Sequence, residues 1–348
     1  MPTAEWNIPD GYAALRDAVA WYDGGQRTAI WVVGEDAVRF VDGFTTASLA
    51  GLAPGQGAEG FFPDARGQVL AFATIFRAAD GVWIDADPPT VGDATPAGWS
   101  LAGHLDRYHI RERLRIVDRS AEIATVVVAG PAAAGRLAGD AACRIPSPSL
   151  AHDLEHLEPC LSGAFTGRCA GIPAVVARGE WAGPDSFLIV VASGDRERLA
   201  ASLNAAGIPA ASTAAVDAVR REEGRPMSID IPARTLPQEL GRDQRAISFR
   251  KGCYLGQETV ARLDAIGHVN RRLVGIVTPR DVPLRAGMPV LDGGGDDELG
   301  RITSAGPSPR FDGWLGLAVV RIAALEQRAG LTVAGAPARS VPMPSSTS

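Results

Sequence analysis

From residue 271 onward the hydrophobic pattern of this chain changes its period, and that change divides it. Up to about residue 270, apolar residues recur at helical spacing between strand-like runs. Beyond it helical spacing vanishes except over 320–325. Short apolar runs at 273–278, 288–291, 300–304, 314–319, 331–333 and 338–341 instead alternate with Gly/Pro turns. About six short strands in about 70 residues predict a small barrel or sandwich, because each strand has a face to bury and only its own kind to bury it against. Gly293-Gly294-Gly295-Asp296-Asp297 is a hairpin tip, and 342–348 reads as a disordered tail. A C-terminal β-barrel is thus expected over 271–341, behind an α+β body over 8–270.

The body carries a weak internal echo. A helix begins at Asp10, with Leu15, Ala18, Val19 and Tyr22 at i, i+3, i+4, i+7, and ends at Gly24-Gly25. The strand Thr28-Ala29-Ile30-Trp31-Val32-Val33 turns at Gly34 into a short helix through Ala37, Phe40 and Val41. About 96 residues later, Ala124-Thr125-Val126-Val127-Val128 turns at Gly130-Pro131 into a helix from Ala132 to Leu137. Each copy continues with a strand and a helix, 81–84 and 97–108 in the first, 186–191 and 196–206 in the second. Two βαβ-type halves, about 28–120 and 121–245, are predicted.

Charge and sulfur narrow the function classes. Against 40 acidic side chains stand 34 basic ones, a net charge of −6, so no broad electrostatic footprint for nucleic acid is expected. No apolar run approaches the roughly 20 residues of a membrane span. Met1-Pro2-Thr3-Ala4-Glu5-Trp6 has neither a basic n-region nor an apolar h-region. Four cysteines in 348 residues are too few for a disulfide framework. A cytoplasmic protein with free thiols is the expectation, with no membrane and no direct nucleic-acid partner. Of the 34 basic residues, 33 are arginine and one is lysine, Lys251. Where charge alone sufficed, arginine was used; Lys251 therefore marks a place that needs a compact ammonium and not a planar fork.

That lysine opens the densest signal in the chain, Lys251-Gly252-Cys253-Tyr254-Leu255-Gly256-Gln257-Glu258, continuing through Val260-Ala261-Arg262. Gly252 and Gly256 flank Cys253 and let the backbone turn sharply or a ligand come close. Gln257, Glu258 and Arg262 form a polar cluster that opens a helix. A cysteine beside an ammonium and near a helix N-terminus has a stabilised thiolate, the nucleophilic and metal-ligating form. On residue chemistry this is a reactive thiol in an electropositive pocket.

The segment resembles the signature K-G-C-[FY]-x-G-Q-E-x-V-x-R of the YgfZ family, folate-binding proteins of iron–sulfur cluster assembly and repair that are relatives of the glycine-cleavage T-protein (aminomethyltransferase). Weaker likenesses span the chain: Gly34-Glu35-Asp36-Ala37-Val38-Arg39-Phe40, Pro63-Asp64-Ala65-Arg66-Gly67, Arg220-Arg221-Glu222-Glu223-Gly224-Arg225-Pro226, and Gly300-Arg301-Ile302-Thr303-Ser304. The resemblance implies a two-part α+β body ringing a central folate channel, plus a C-terminal β-barrel. It implies tetrahydrofolate or a one-carbon derivative as ligand, and iron–sulfur assembly factors or client iron–sulfur enzymes as partners. Cys253 and Lys251 would face the channel as the chemical pair, with Gly252, Tyr254, Gly256, Gln257, Glu258 and Arg262 around the ligand. A pterin edge offers an amino group and a ring N–H that pair with one carboxylate; the matching segment Pro237-Gln238-Glu239-Leu240-Gly241 offers Glu239. Arg262, Arg271 or Arg272 would meet the anionic tail.

Departures from the pattern shape the functional expectation. The T-protein's paired aspartates correspond to Ala71 and Phe72 here, and an apolar pair cannot deprotonate a folate nitrogen. Thr45-Thr46-Ala47-Ser48 replaces the Thr-Asn-Asp of many relatives. The leading expectation is a tetrahydrofolate-binding accessory protein for iron–sulfur cluster assembly or repair. The alternative is a folate-dependent one-carbon (aminomethyl or methyl) transferase in which Asp64 or Glu258 substitutes as acid or base, and a scaffold that only binds protein partners is a third. His152, His156 and Cys160, at i, i+4, i+8 with Cys169 following, match no zinc spacing, and Pro159 breaks the helix they would share. They read as a polar surface helix, and no metal site is expected. His268, just past the signature, is the most notable of the isolated histidines.

Overall fold

Strands that read as unbroken apolar runs are buried on both faces here, and this sets the layering of the body. The computed structural model describes residues 5–89, 98–139, 166–267, 269–293, 297–325 and 330–344. The first half runs α1 (Tyr12–Asp17), β1 (Ala20–Asp23), β2 (Thr28–Val33), α2 (Ala37–Asp42), β3 (Gly57–Pro63), β4 (Val69–Arg77), β5 (Gly81–Ala86), α3 (Leu101–Asp106) and β6 (Arg115–Asp118). The second half follows with β7 (Ile123–Ala129), α4 (Ala133–Gly139), β8 (Thr166–Cys169), β9 (Ile172–Gly179), β10 (Ser186–Ala192), α5 (Arg196–Ala205) and α6 (Thr213–Glu222). Turns at Ser228–Asp230 and Pro237–Leu240, then α7 (Asp243–Ala246) and α8 (Gln257–Ile266), lead to the barrel.

Two five-stranded sheets result, in the orders β3-β4-β5-β2-β6 and β1-β7-β10-β9-β8. Alternation along each strand assigns its two faces. Trp31, Phe76 and Trp83 of the first sheet meet Val127, Val175, Leu188 and Val190 of the second in one shared core. Trp83 stacks between Phe76 and Trp31, with ring centroids 4.8 and 5.9 Å away. The outward residues of the first sheet, among them Ile30, Val32 and Ile84, pack on α2 and α3, and those of the second on Leu137 of α4 and Leu199 and Leu203 of α5. The order of layers is helices, sheet, sheet, helices.

The expected fold class stands, with three differences in detail. First, every pairing in the two sheets is antiparallel, not the parallel pairing that βαβ units carry. A strand buried on both faces is apolar throughout whichever way its neighbour runs, so the sequence shows burial and not direction. Second, the helix expected from Asp10 to Tyr22 stops at Asp17, where Ala18 leaves the helical region (φ −142°). Residues 20–23 pair with β7 instead, placing Ala20 and Tyr22 against the shared core and Trp21 on the opposite face. Alternation over Val19-Ala20-Trp21-Tyr22 outweighs the helical spacing because a β-branched and aromatic run gains more as a sheet edge. Third, Met343, expected in a disordered tail, is buried under Gly224, where an added Cβ would meet its Cβ at 2.4 Å.

The barrel closes from β11 (Arg271–Thr278), β12 (Pro289–Asp292), β13 (Glu298–Ser308), β14 (Gly313–Arg321), β15 (Leu331–Val333) and β16 (Ala336–Val341), with α9 (Ile322–Leu325) after β14. Its six strands correspond to the six short runs of the sequence. A bulge between Ile302 and Ser304 bends β13. A second apolar seam, including Phe61, Phe72, Tyr254, Leu273, Leu315 and Met343, fastens it to the body. Buried charge reinforces that seam. Glu222, fully buried, accepts from Tyr12 Oη at 2.8 Å and from Ser308 Oγ at 2.5 Å, and pairs with Arg16. Arg220 bonds Asp230 at 2.6 Å.

Candidate functional site

The signature segment is a loop clamped at both ends with a thiol left outside. Ser248 N donates to Thr46 O and Leu255 N to Gly43 O, each at 2.9 Å. Between them, Lys251 Nζ donates to the carbonyls of Asp42, Thr45 and Ala47 at 2.6, 2.9 and 2.6 Å, and lies 3.1 Å from Asp42 Oδ1. All three ammonium donors are thereby spent on the 42–47 turn, and none is left for the Cys253 thiol. Burial pulls the Lys251 pKa below its ordinary value, against the opposing pull of the Asp42 carboxylate. Thr46 Oγ1 accepts from Phe61 N at 2.9 Å and donates to Ala246 O at 2.5 Å, so the departing Thr45-Thr46 pair has become a tie of the same clamp.

The far end of the loop fits a second motif. Gly256 has φ +78°, and a Cβ there would stand 2.3 Å from Asp64 O. Gly67 has φ +81°, and a Cβ there would stand 2.8 Å from the Thr259 Cβ. The Asp64–Gly67 turn and Gly256 thus interlock through the absence of two side chains. Asp64 Oδ1 accepts from Arg66 N and Gln68 N, each at 2.8 Å, holding that turn. Gln257 Oε1 accepts from Tyr254 N at 3.3 Å. Tyr254 is buried under the loop, and burial pushes its hydroxyl up to about 12.

Cys253 itself is a free thiol and exposed. Gly252 beside it has open space where a side chain would be. Glu258 and Arg262 are exposed on α8. Cys169, by contrast, is buried and disulfide-bonded, which corrects the expectation of free thiols throughout; its partner lies outside the described residues. His152, His156, Cys160 and His268 also lie outside them. Among the described residues no group of three or more His, Cys, Asp or Glu side chains could hold a metal ion, and no helix is long and apolar enough to cross a membrane.

Glu239 and Arg271, assigned by resemblance to opposite ends of a folate, hold each other. Arg271 Nε and Nη2 donate to the two Glu239 carboxylate oxygens, each at 2.9 Å. Leu236 N donates to Glu239 Oε2, also at 2.9 Å. At 4% exposure Glu239 has no free oxygen for a pterin edge unless Arg271 moves.

Ala71 and Phe72 lie on a partly enclosed hollow of about 70 Å³, lined also by Thr28, Asp87, Trp99 and Asp118. Behind it stands a charge network that sequence reasoning missed. Arg27 clasps Asp85 at 3.0 and 2.7 Å and Asp87 at 2.5 Å, and Trp181 Nε1 donates to Asp85 at 3.1 Å. Glu59 binds Arg225 at 2.6 Å and Arg242 at 2.8 and 2.5 Å, and Arg242 reaches Glu180 at 3.0 Å. The Arg225 and Arg242 guanidinium carbons stand 5.0 and 5.6 Å from the Phe72 ring centroid. Burial alone would raise the Glu59 carboxyl, but the Arg242 and Arg225 guanidiniums outweigh it and hold it below the usual range. A signal existed: in Trp83-Ile84-Asp85-Ala86-Asp87 the carboxylates fall on alternate positions of an otherwise apolar strand, the mark of charge turned inward.

One carboxyl titrates the other way. Burial pushes Asp243, which opens α7, up to about 6; nearby Arg272 lowers it and Asp264 raises it. Its Oδ1 is buried without a partner among the described residues. The folded state therefore binds this proton more tightly than the unfolded chain, so the contribution to stability declines as pH rises from about 4 to about 6. Asp243→Asn is expected to remove that decline and to raise the urea midpoint at pH 7 relative to wild type. A midpoint difference independent of pH between 4 and 7 would contradict this.

Two family models cover nearly the whole chain. One described as the GCVT N-terminal domain matches residues 3–251, and one described as the glycine cleavage T-protein C-terminal barrel domain matches residues 271–345. Among curated proteins, an aminomethyltransferase of Thermus thermophilus is 28% identical over 321 residues, covering 92% of this chain and 84% of that protein. One of Streptomyces avermitilis is 28% identical over 334 residues, covering 91% and 84%. The crystal structure of glycine cleavage system aminomethyltransferase T from Bartonella henselae aligns with TM-score 0.76 at 23% identity, over 96% of this chain and 88% of that one.

Proposed function

Because the chain belongs to the glycine cleavage T-protein family, we propose that it binds a reduced folate and serves iron–sulfur cluster assembly or repair through the thiol of Cys253. The observation that carries this reading is the placement of that thiol. A loop pinned by Lys251 at one end and by Gly256 at the other holds a free cysteine in solvent, in the segment that resembles the YgfZ signature. Clamping lowers the entropy lost when the sulfur meets a partner. After losing its proton to solvent, such a sulfur can ligate iron or exchange with a disulfide.

The hollow beside Ala71 and Phe72 fits the edge of a pteridine. Phe72 and Trp99 supply ring faces on its wall. A bound tetrahydrofolate would bring a reduced, electron-rich ring able to carry a one-carbon unit. Ala71 and Phe72 offer no proton acceptor, which speaks against aminomethyl transfer by the T-protein route.

The test is complementation of a deletion strain, with iron–sulfur enzyme activities assayed under oxidative stress. Wild type is expected to restore them and Cys253→Ala is not. Because the side chain is exposed, the variant should unfold within about 0.5 kcal/mol of wild type. Equal rescue by Cys253→Ala would remove the thiol from the function. Failure of the purified protein to bind tetrahydrofolate would remove the folate.

A one-carbon transferase is the second reading, favoured by the names of the relatives at 28% identity. It requires turnover of 5,10-methylenetetrahydrofolate with an aminomethyl or methyl donor, which the first reading excludes.

A further inference from the structure

Resting on the folate reading above, we propose that Asp87 is the carboxylate that receives the N–H edge of the pteridine, supplied from across the strand pair where β4 has Ala71 and Phe72. The register between β4 and β5 makes the placement. Phe76 pairs with Trp83, Ile75 with Ile84, Thr74 with Asp85 and Ala73 with Ala86. The ladder ends at that pair; Asp87 is the next residue along the chain and lines the hollow together with Phe72. Phe72 itself packs in the apolar seam with Phe61 and Tyr254. The acid absent from one strand is thus presented by its neighbour, on the wall of the same hollow.

Arg27 fixes how it is presented. Its Nη1 donates to Asp87 Oδ1 at 2.5 Å, while Nε and Nη2 hold Asp85 at 3.0 and 2.7 Å. One guanidinium between two carboxylates leaves one negative charge uncompensated within this trio. The second Asp87 oxygen takes no hydrogen bond from the described residues. A carboxylate with one oxygen oriented and the other open matches an amino group and adjacent ring N–H of a pteridine, which are donors only. The other acids nearby are engaged. Asp118 is exposed, and its Oδ1 already accepts from Ser120 N and Oγ at 2.9 and 2.5 Å. Both Glu239 oxygens are held by Arg271.

The test is calorimetric titration of 5-formyltetrahydrofolate into wild type, Asp87→Asn and Asp118→Asn, each checked for native near-UV circular dichroism. Asp87→Asn keeps the shape and leaves Arg27 on Asp85, so the fold is expected to survive. Its affinity should fall about 10- to 100-fold, the loss of a charge-assisted hydrogen bond, while Asp118→Asn changes about twofold or less. An analogue lacking the pteridine 2-amino group separates contact from mere support. Wild type should bind it more weakly, and Asp87→Asn should bind it no more weakly than it binds the parent ligand. Equal affinity of Asp87→Asn and wild type, or the same further loss with the analogue in both, overturns this assignment alone. Absence of binding by wild type overturns the folate reading and this assignment with it.

Discussion

Arg242→Met is expected to lower the unfolding free energy by about 3–5 kcal/mol, the cost of breaking a buried ion pair from one side. The Arg242 side chain is wholly buried and holds Glu59 at 2.8 and 2.5 Å and Glu180 at 3.0 Å. Without it Glu59 keeps Arg225 and the weaker influence of Arg245, and a carboxylate that burial already disfavours loses the largest of its compensating charges. Replacing Glu59 by Gln in the same chain should restore part of the loss, since no uncompensated charge then remains. Urea unfolding followed by tryptophan fluorescence reads both. The pH profile supplies an independent check. Glu59 is held below its ordinary range, so its contribution is present above that range and disappears as pH falls through the depressed value. The acid limb should be shallower in Arg242→Met than in wild type. A destabilisation under about 1 kcal/mol, against the 3–5 expected, with an unchanged acid limb, would show that the network contributes little.

Lys251→Met should cost on the order of 3 kcal/mol, because it leaves the carbonyls of Asp42, Thr45 and Ala47 without their donor in a place where the side chain is only 1% exposed. Lys251→Arg is the sharper comparison. A guanidinium keeps the charge but is a planar fork, and it cannot meet three acceptors that converge on one point. About 2 kcal/mol of loss is expected from the misfit, a typical value for forcing a larger group into a packed site. Amide hydrogen exchange at Ser248 and Leu255, whose N–H groups are bonded to the 42–47 turn, should accelerate in both variants. An Arg variant with wild-type midpoint and wild-type exchange would mean that the turn accepts any cation. The solitary lysine of an arginine-rich chain would then have no physical reason.

The parts of the fold legible beforehand were those in which a local period reports a local face. The six barrel strands, β2, β7 and β10 were readable because alternation or an unbroken apolar run is the direct imprint of burial on one face or two. The signature around Cys253 was readable for a different reason: glycines, a lysine and a cysteine concentrated in one segment signal unusual backbone and chemistry together. What that segment does mechanically was not readable. Lys251 meets Asp42, Thr45 and Ala47 across more than 200 residues, and Gly256 meets Asp64 and Gly67. Nothing in either stretch alone names the other. Glu239 shows the converse. As a carboxylate after a proline it looked available to a ligand, and its pairing with Arg271 depends on where β11 begins.

Periodicity, glycine placement and the lone lysine decided on their own that this chain builds a two-part α+β body, a terminal barrel and one glycine-flanked thiol segment of unusual chemistry, since these follow from which atoms must leave water and which backbone angles a residue tolerates. Only the assembled molecule decided which charges are partners and which carboxylates line the hollow. With 33 arginines available, Coulomb attraction alone selects no partner for Asp85, Asp87 or Glu59. Strand register brings Arg27 to the first two, and the docking of α7 brings Arg242 to the third.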